Sequence, residues 1–166
     1  MNDVSPPIPP RVPFASRSEH EDALAAVFGA ATRELRIFDQ HCADLGFNSP
    51  ARFDALRQFL LANRAHRLYI AVHDTAYLAG RCPRMGLLLR QFSHAVVVQK
   101  TRKELRVLHD NFIVADDAAY LKQFHFEHPR GVFGLNDQIE IQALRLRFEE
   151  IWSNSTPGLA ATTLGL

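Results

Sequence analysis

The sequence predicts a mixed α/β fold in which one sheet is flanked by helices. Three observations carry the prediction. Short apolar runs of strand length alternate with segments of helical periodicity from Glu19 to Gln99, a later apolar run ends on the paired acids Asp116-Asp117, and an amphipathic segment, Ile139 to Trp152, closes the pattern. At 166 residues, 47% of them hydrophobic, the chain is long enough for one packed core and short for two.

Residues 1–15 carry Pro6, Pro7, Pro9, Pro10 and Pro13 and are expected to form a disordered, polyproline-like tail ahead of a single domain over 16–153. Ser18 with Glu21 has the spacing of a capping box, and Ala23, Leu24, Val27 and Phe28 follow at helical intervals, so a first helix should reach about Thr32. Leu35 to Asp39 reads as a short buried strand ending in an acid. Asn48-Ser49-Pro50 opens a second helix, because proline suits the first helical turn, with Phe53, Leu56, Phe59 and Leu60 inward. Leu68 to Val72 is the next strand and ends at His73-Asp74. Pro83 starts a third helix that reaches Phe92 and buries Met85, Leu88 and Leu89. His94 to Gln99 and Leu108 to Ala115 are further strands, and a hairpin at Asp116-Asp117 leads to a fifth near Tyr120 to Phe126. The last helix, Ile139 to Trp152, offers Ile139, Leu144, Leu146, Phe148 and Trp152 among charges; residues 154–166 read as a flexible tail. Helices between the first three strands imply right-handed crossovers and a mainly parallel sheet, completed by an antiparallel hairpin.

Nineteen basic and 18 acidic side chains leave a formal charge of +1, so no global field favours an anionic membrane, and tight binding of nucleic acid is not expected. The run Lys100-Thr101-Arg102-Lys103 reads as a solvated loop. Cys42 and Cys82 stand far apart with no Cys-x-x-Cys pair, which suits free thiols in a reducing compartment. No window reaches the length of a membrane span, the N-terminus lacks the apolar core of a secretory signal, and a cytoplasmic location is expected. His125-Phe126-Glu127-His128 supplies imidazoles, but its spacing indicates no third converging ligand, and neither a metal nor another cofactor is expected.

The chemistry concentrates in Leu108-His109-Asp110-Asn111, the apolar run after it, and Asp116-Asp117. Side chains alternate along a strand, so His109 and Asn111 share one face while Phe112 and Val114 point into apolar packing. A histidine in that position can serve as nucleophile or acid on a phosphodiester, a reaction that also needs cations around the equatorial oxygens. The register of His109, Asn111 and Asp116 resembles the His-x-Lys-x-x-x-x-Asp motif of the phospholipase D superfamily, with Asn111 in the lysine position. The resemblance spans roughly Glu19 to Trp152 and implies a phospholipase D-like half-domain.

In that superfamily a reaction site joins two such motifs. This sequence holds one, so a two-histidine site implies a homodimer around a phosphate-containing ligand. The Gly-Ser pair and the Asn that help seat phosphate in the family are replaced here by Tyr120 to Phe126. The resemblance therefore implies a degenerate domain without standard phosphodiesterase activity, kept as an anion- or phosphate-binding or assembly module. Two alternatives stay open. One is an active homodimeric phosphodiesterase, or a phosphatidyl- or nucleotidyl-type transferase, with His109 as nucleophile and acid; the other is a weak nucleic-acid binder that keeps the groove without the reaction.

Asp39, His73 and Asp74 lie at strand ends, where open α/β sheets gather ligands, and are binding candidates for that reason. Asp116 has an ordinary role as a turn residue besides its place in the motif. Loop parity at the hairpin decides the remaining candidates. An odd loop puts Gln123 and His125 on the face of His109 and Asn111, whereas an even one puts Lys122 there and restores a cation.

Overall fold

The computed structural model describes residues 10–164. The elements run β1 (Arg11–Phe14), α1 (Arg17–Gly29), β2 (Glu34–Asp39), α2 (Pro50–Ala62), β3 (Arg67–Val72), α3 (Ala76–Gly80), α4 (Pro83–Gln91), β4 (Val96–Thr101), β5 (Asn111–Ala115), β6 (Ala119–His125), β7 (His128–Leu135), α5 (Gln138–Ser153) and β8 (Ser155–Leu159). The eight strands of the described residues form one sheet in the order β1-β7-β6-β5-β2-β3-β4-β8. Only β2-β3 and β3-β4 are parallel among the seven pairings, so the sheet is mixed, and the expected mainly parallel arrangement is corrected.

Two apolar layers hold the sheet. α1, α2 and α4 pack Leu24, Val27, Leu56, Met85 and Leu88 against Ile37, Ile70, Val98, Ile113 and Leu121. α5 packs Ile141, Leu144, Phe148 and Ile151 against Phe38, Ala71, Phe112, Val114 and Tyr120 on the other face. A fully buried Leu, Ile or Phe stabilises by roughly 1.5–3 kcal/mol, so a sheet clamped from both sides gives its ends a rigid base. In β5 every side chain is buried, Ile113 and Ala115 toward the first layer and Phe112 and Val114 toward the second. Alternation then places Asn111 on the α1 side.

Several boundaries differ from the sequence reading for local reasons. The capping box of α1 is Ser16 with Glu19, whose N–H donates to Ser16 Oγ at 3.1 Å. Ser18 already lies inside the helix, and Glu21 accepts from Arg52 Nη2 of α2 at 2.5 Å. In α5 the buried stripe is Ile141, Leu144, Phe148 and Ile151, and Ile139 and Leu146 are exposed instead. Asp137 caps this helix, and its stripe follows the packing against Phe112 and Tyr120. The motif strand begins at Asn111 rather than Leu108, because Lys103–Val107 forms a 3-10 turn ahead of it.

Both expected tails contribute strands. Arg11–Phe14 pairs antiparallel with β7 at the sheet edge, where Pro13 needs no outward partner for an N–H and Phe14 is buried. Residues 1–9 of that segment lie outside the described residues. Ser155–Leu159, from the expected C-terminal tail, pairs antiparallel with β4 at the opposite edge. β7 also escaped the sequence reading, since Gly131 and Gly134 break its apolar alternation. Glycine is required there by close approach: a Cβ at Gly131 would lie 2.0 Å from the Lys122 carbonyl oxygen, and one at Gly134 would lie 2.3 Å from the Tyr120 ring. Cys42 and Cys82 are free and buried. Among the described residues no helix is long and apolar enough to cross a membrane.

Candidate functional site

Because β5 runs against β2, the carboxyl ends of β2, β3 and β4 meet the amino end of β5 and the β6–β7 turn at one end of the sheet. Asp39, His73, His109, Asn111, Gln123 and His125 belong to that end. Ala115 pairs with Ala119, which leaves a three-residue loop and settles the parity as odd. Gln123 thus stands opposite Asn111. Lys122 stands opposite Phe112 on the α5 side, where its Nζ lies 3.7 Å from Glu140 Oε1. The cation that an even loop would have supplied is on the wrong side of the sheet.

Asn111, 7% exposed, is the middle of a chain of amides. Gln40 N–H donates to Asn111 Oδ1 at 3.1 Å, Asn111 Nδ2 donates to Gln123 Oε1 at 3.0 Å, and Gln123 Nε2 donates to the His128 carbonyl at 3.0 Å. The main chain fixes the polarity at both ends, a donor at Gln40 and an acceptor at His128. Turning over either side-chain amide would set like groups against each other. Gln40 Nε2 also donates to the carbonyls of Leu108 and Asp110, at 3.1 and 3.2 Å, and so fastens the segment leading into β5.

His109 is exposed, just outside β5. Its carbonyl accepts the Phe126 N–H at 2.9 Å, which extends the β5–β6 pairing, and its ring lies 5.5 Å from that of His125 and 6.1 Å from that of Phe126. Asp110 next to it is gripped by both terminal nitrogens of Arg147, whose guanidinium also lies 5.3 Å above the Phe112 ring. This arginine approaches the motif, but its charge is committed to a carboxylate.

The other strand-end candidates hold the scaffold. His73 is buried, with Nε2 donating to the Leu108 carbonyl at 2.9 Å and Nδ1 accepting from the Thr101 hydroxyl at 2.5 Å. Burial lowers its pKa, against the opposing effect of the Leu108 bond, and keeps the ring neutral. Asp39 Oδ1 accepts from the N–H groups of His41 and Cys42, at 3.1 and 2.7 Å. Burial raises the Asp39 pKa against those two bonds, and the turn they shape holds Cys42 at φ +64°. Asp74 is exposed and accepts from Ala76 N–H at 2.8 Å where α3 begins.

Asp116 is not part of this end. It sits at the far end of β5 with φ +52°, and its oxygens accept from the N–H groups of Thr32 (2.6 Å), Arg33 (3.1 Å) and Glu34 (2.7 Å) and from the Thr32 hydroxyl (2.9 Å). Burial pushes this carboxyl up, but the bonds from Thr32, Glu34 and Arg33 outweigh it and hold the pKa below the usual carboxylate range. The residue fastens the start of β2, which corrects its assignment to a site with His109. Sequence reasoning missed Gln40, Thr101 and His128. Gln40 alone carried a signal, a long amide directly after the acid that ends β2. Beside the sheet end lies a cleft of about 180 Å³ lined by Arg17, His20, Gln123 and Glu127, whereas a groove of about 680 Å³ between α1 and α2 contains none of the candidates.

Residues 16–162 match a protein-family model described as a domain of unknown function (DUF7931). No curated protein matches the sequence. Among solved structures, Nuc from Salmonella typhimurium, a phospholipase D family member, is similar with a TM-score of 0.63 at 12% identity over 92% of this chain and 100% of that one. Phosphatidylserine synthase from Haemophilus influenzae Rd KW20 is similar with a TM-score of 0.60 at 15% identity, over 95% of this chain and 42% of the other. TrmBL2, an archaeal chromatin protein described with a novel mode of DNA binding, gives 0.65 at 12% identity, over 95% and 57% respectively. Likeness at such identities shows the fold, a mixed sheet flanked by helices like that of phospholipase D family members.

Proposed function

Because the chain belongs to the DUF7931 family of domains and carries a phospholipase D-like fold, we propose that it is a degenerate member of that fold, without standard phosphodiesterase activity, that serves as an anion-binding or assembly module. The observation that carries this reading is the state of Asn111. In the position of the motif's lysine stands a neutral, buried amide whose oxygen and nitrogen are both engaged by Gln40 and Gln123. Phosphoryl chemistry depends on preorganised charge at the equatorial oxygens, and removal of one such donor typically costs a factor of ~10² to 10³ in rate. Lys122 and Arg147 do not substitute for it, since one faces α5 and the other is held by Asp110. The end of the sheet still offers an anion the exposed ring of His109 beside His125. The archaeal chromatin protein of the same fold is a precedent for a binding role, although a formal charge of +1 weighs against tight nucleic-acid binding here.

Purified protein assayed with bis(p-nitrophenyl) phosphate should show no turnover above that of His109→Ala. Robust hydrolysis that disappears in His109→Ala overturns the reading. A second reading, an active homodimer, draws on the exposure of His109, which leaves the ring free to meet its copy. It predicts a symmetric dimer with two His109 rings on one phosphate, and sedimentation of a strict monomer removes it.

A further inference from the structure

The β6–β7 turn carries a cluster of side chains able to ligate a metal ion. Asn111 pairs with Gln123, the Phe126 N–H beyond it donates to the His109 carbonyl at 2.9 Å, and His125 pairs with His128 past a register shift. Residues opposite each other in a ladder project to the same face. The His125 ring lies 5.5 Å from the His109 ring on one side and 5.5 Å from the His128 ring on the other. Glu127 stands inside the turn, and one ligating atom from each of His125, Glu127 and His128 lies within 4.8 Å of the others. His125 is half-buried, and Glu127 and His128 are exposed, so all three can be reached from solvent.

We propose that His125, Glu127 and His128 form a binding site for a divalent late transition-metal ion, zinc by the chemistry of the ligand set. Two imidazoles and a carboxylate are ligands that zinc accepts at roughly 2.0–2.2 Å, and three of them leave a fourth position open for water or a further ligand. Solvent-accessible side chains already this close can converge by rotamer changes, without movement of the sheet. The cost at His125 is small. Its Nδ1 accepts the Glu127 N–H at 3.2 Å, a long bond on a surface turn. Coordination through Nε2 moves the ring proton to Nδ1 and gives up that bond. The ion would close the β6–β7 turn on itself, beside the His109 ring. The spacing along the chain concealed this set because the third ligand lies within the turn that pairs the two histidines. The inference does not depend on whether phosphodiester chemistry has been lost.

The test is a titration of chelator-stripped, full-length protein with zinc chloride by calorimetry, and with cobalt(II) by visible absorption. A single saturable site, a cobalt spectrum of low coordination number and a rise in Tm of several degrees under saturating zinc are expected. His125→Ala and His128→Ala should each weaken the affinity by roughly 10- to 100-fold or more. His94→Ala, at an exposed histidine outside the turn, should leave it unchanged. Circular dichroism without metal checks that each variant folds, and Glu127→Gln, which preserves side-chain shape, gives an independent loss of affinity. Absence of saturable binding, or equal affinity in His128→Ala and Glu127→Gln, overturns the proposal.

Discussion

Replacing Asn111 by aspartate exchanges one amino group for an oxygen at nearly constant shape, and so probes the amide chain directly. Gln40 N–H keeps its acceptor. Gln123 Oε1, 3.0 Å from the lost donor, faces a carboxylate oxygen instead. Gln123 cannot relieve the contact by turning over, because its Nε2 serves the His128 carbonyl at 3.0 Å. A buried acceptor left without a partner costs about 1–3 kcal/mol. The desolvated carboxylate adds about 1.4 kcal/mol for each unit by which its pKa is pushed up. The sum is about 3 kcal/mol at neutral pH, or a fall in Tm of roughly 6–12 °C for a chain of this size.

The pH dependence has a definite sign. Burial raises the pKa of the introduced carboxyl above its unfolded value of about 4, so the folded state binds more protons between the two values. The deficit is therefore complete above the folded pKa and shrinks as pH falls through it, when the protonated group can again donate to Gln123. Urea unfolding of parent and Asn111→Asp at about pH 7 and about pH 4.5 measures both effects. A deficit below about 0.5 kcal/mol at neutral pH, or one equal at both pH values, refutes the reasoning. Either result would mean that residue 111 looks into solvent or into an open anion pocket.

Asp116→Ala strips the acceptors from three backbone N–H groups at the start of β2 and puts alanine at φ +52°, so denaturation should show a loss of about 3–4 kcal/mol. Since the folded carboxyl titrates below its ordinary value, its contribution is complete above about pH 4 and lost as pH falls through the lowered value, and the gap between parent and Asp116→Asn should narrow in acid. His73, kept neutral chiefly by burial, has a folded pKa below its unfolded one. The unfolded chain then binds more protons, so stability falls as pH drops below about 6.5, and His73→Gln, which can still donate to the Leu108 carbonyl, should flatten that slope in thermal melts.

Periodicity made the central elements legible. β2, β3 and α2 were readable because Leu35 to Asp39 and Leu68 to Val72 are continuous apolar runs and Ser49-Pro50 starts a helix with its own side chains. β1, β7 and β8 were not, because each is an edge strand or carries glycines where neighbouring backbone or ring atoms leave no room, and that requirement is tertiary. The site was half legible. Strand alternation placed His109 and Asn111 on one face, but the role of Gln123 turned on a loop of three residues, and a change of one residue would have exchanged it for Lys122. Gln40 joined the site through its main-chain N–H, a group that every non-proline residue owns and no motif records.

The coupling of Asn111 to Gln40 and Gln123 decides what a lysine at position 111 would meet. Lysine has three donors and no acceptor, so Asn111→Lys would orphan the Gln40 N–H at a cost of about 1–3 kcal/mol, before the cost of burying an ammonium. The introduced lysine would enter a space filled by the Gln123 amide. Asn111→Lys alone should therefore lose stability and gain no phosphodiester turnover. The chain of amides behaves as a unit only if its members are energetically coupled, which a double-mutant cycle of Asn111→Ala and Gln123→Ala measures as about 1 kcal/mol. Additivity within roughly 0.3–0.5 kcal/mol would break the unit apart, and residue 111 would then be exchangeable independently of Gln123.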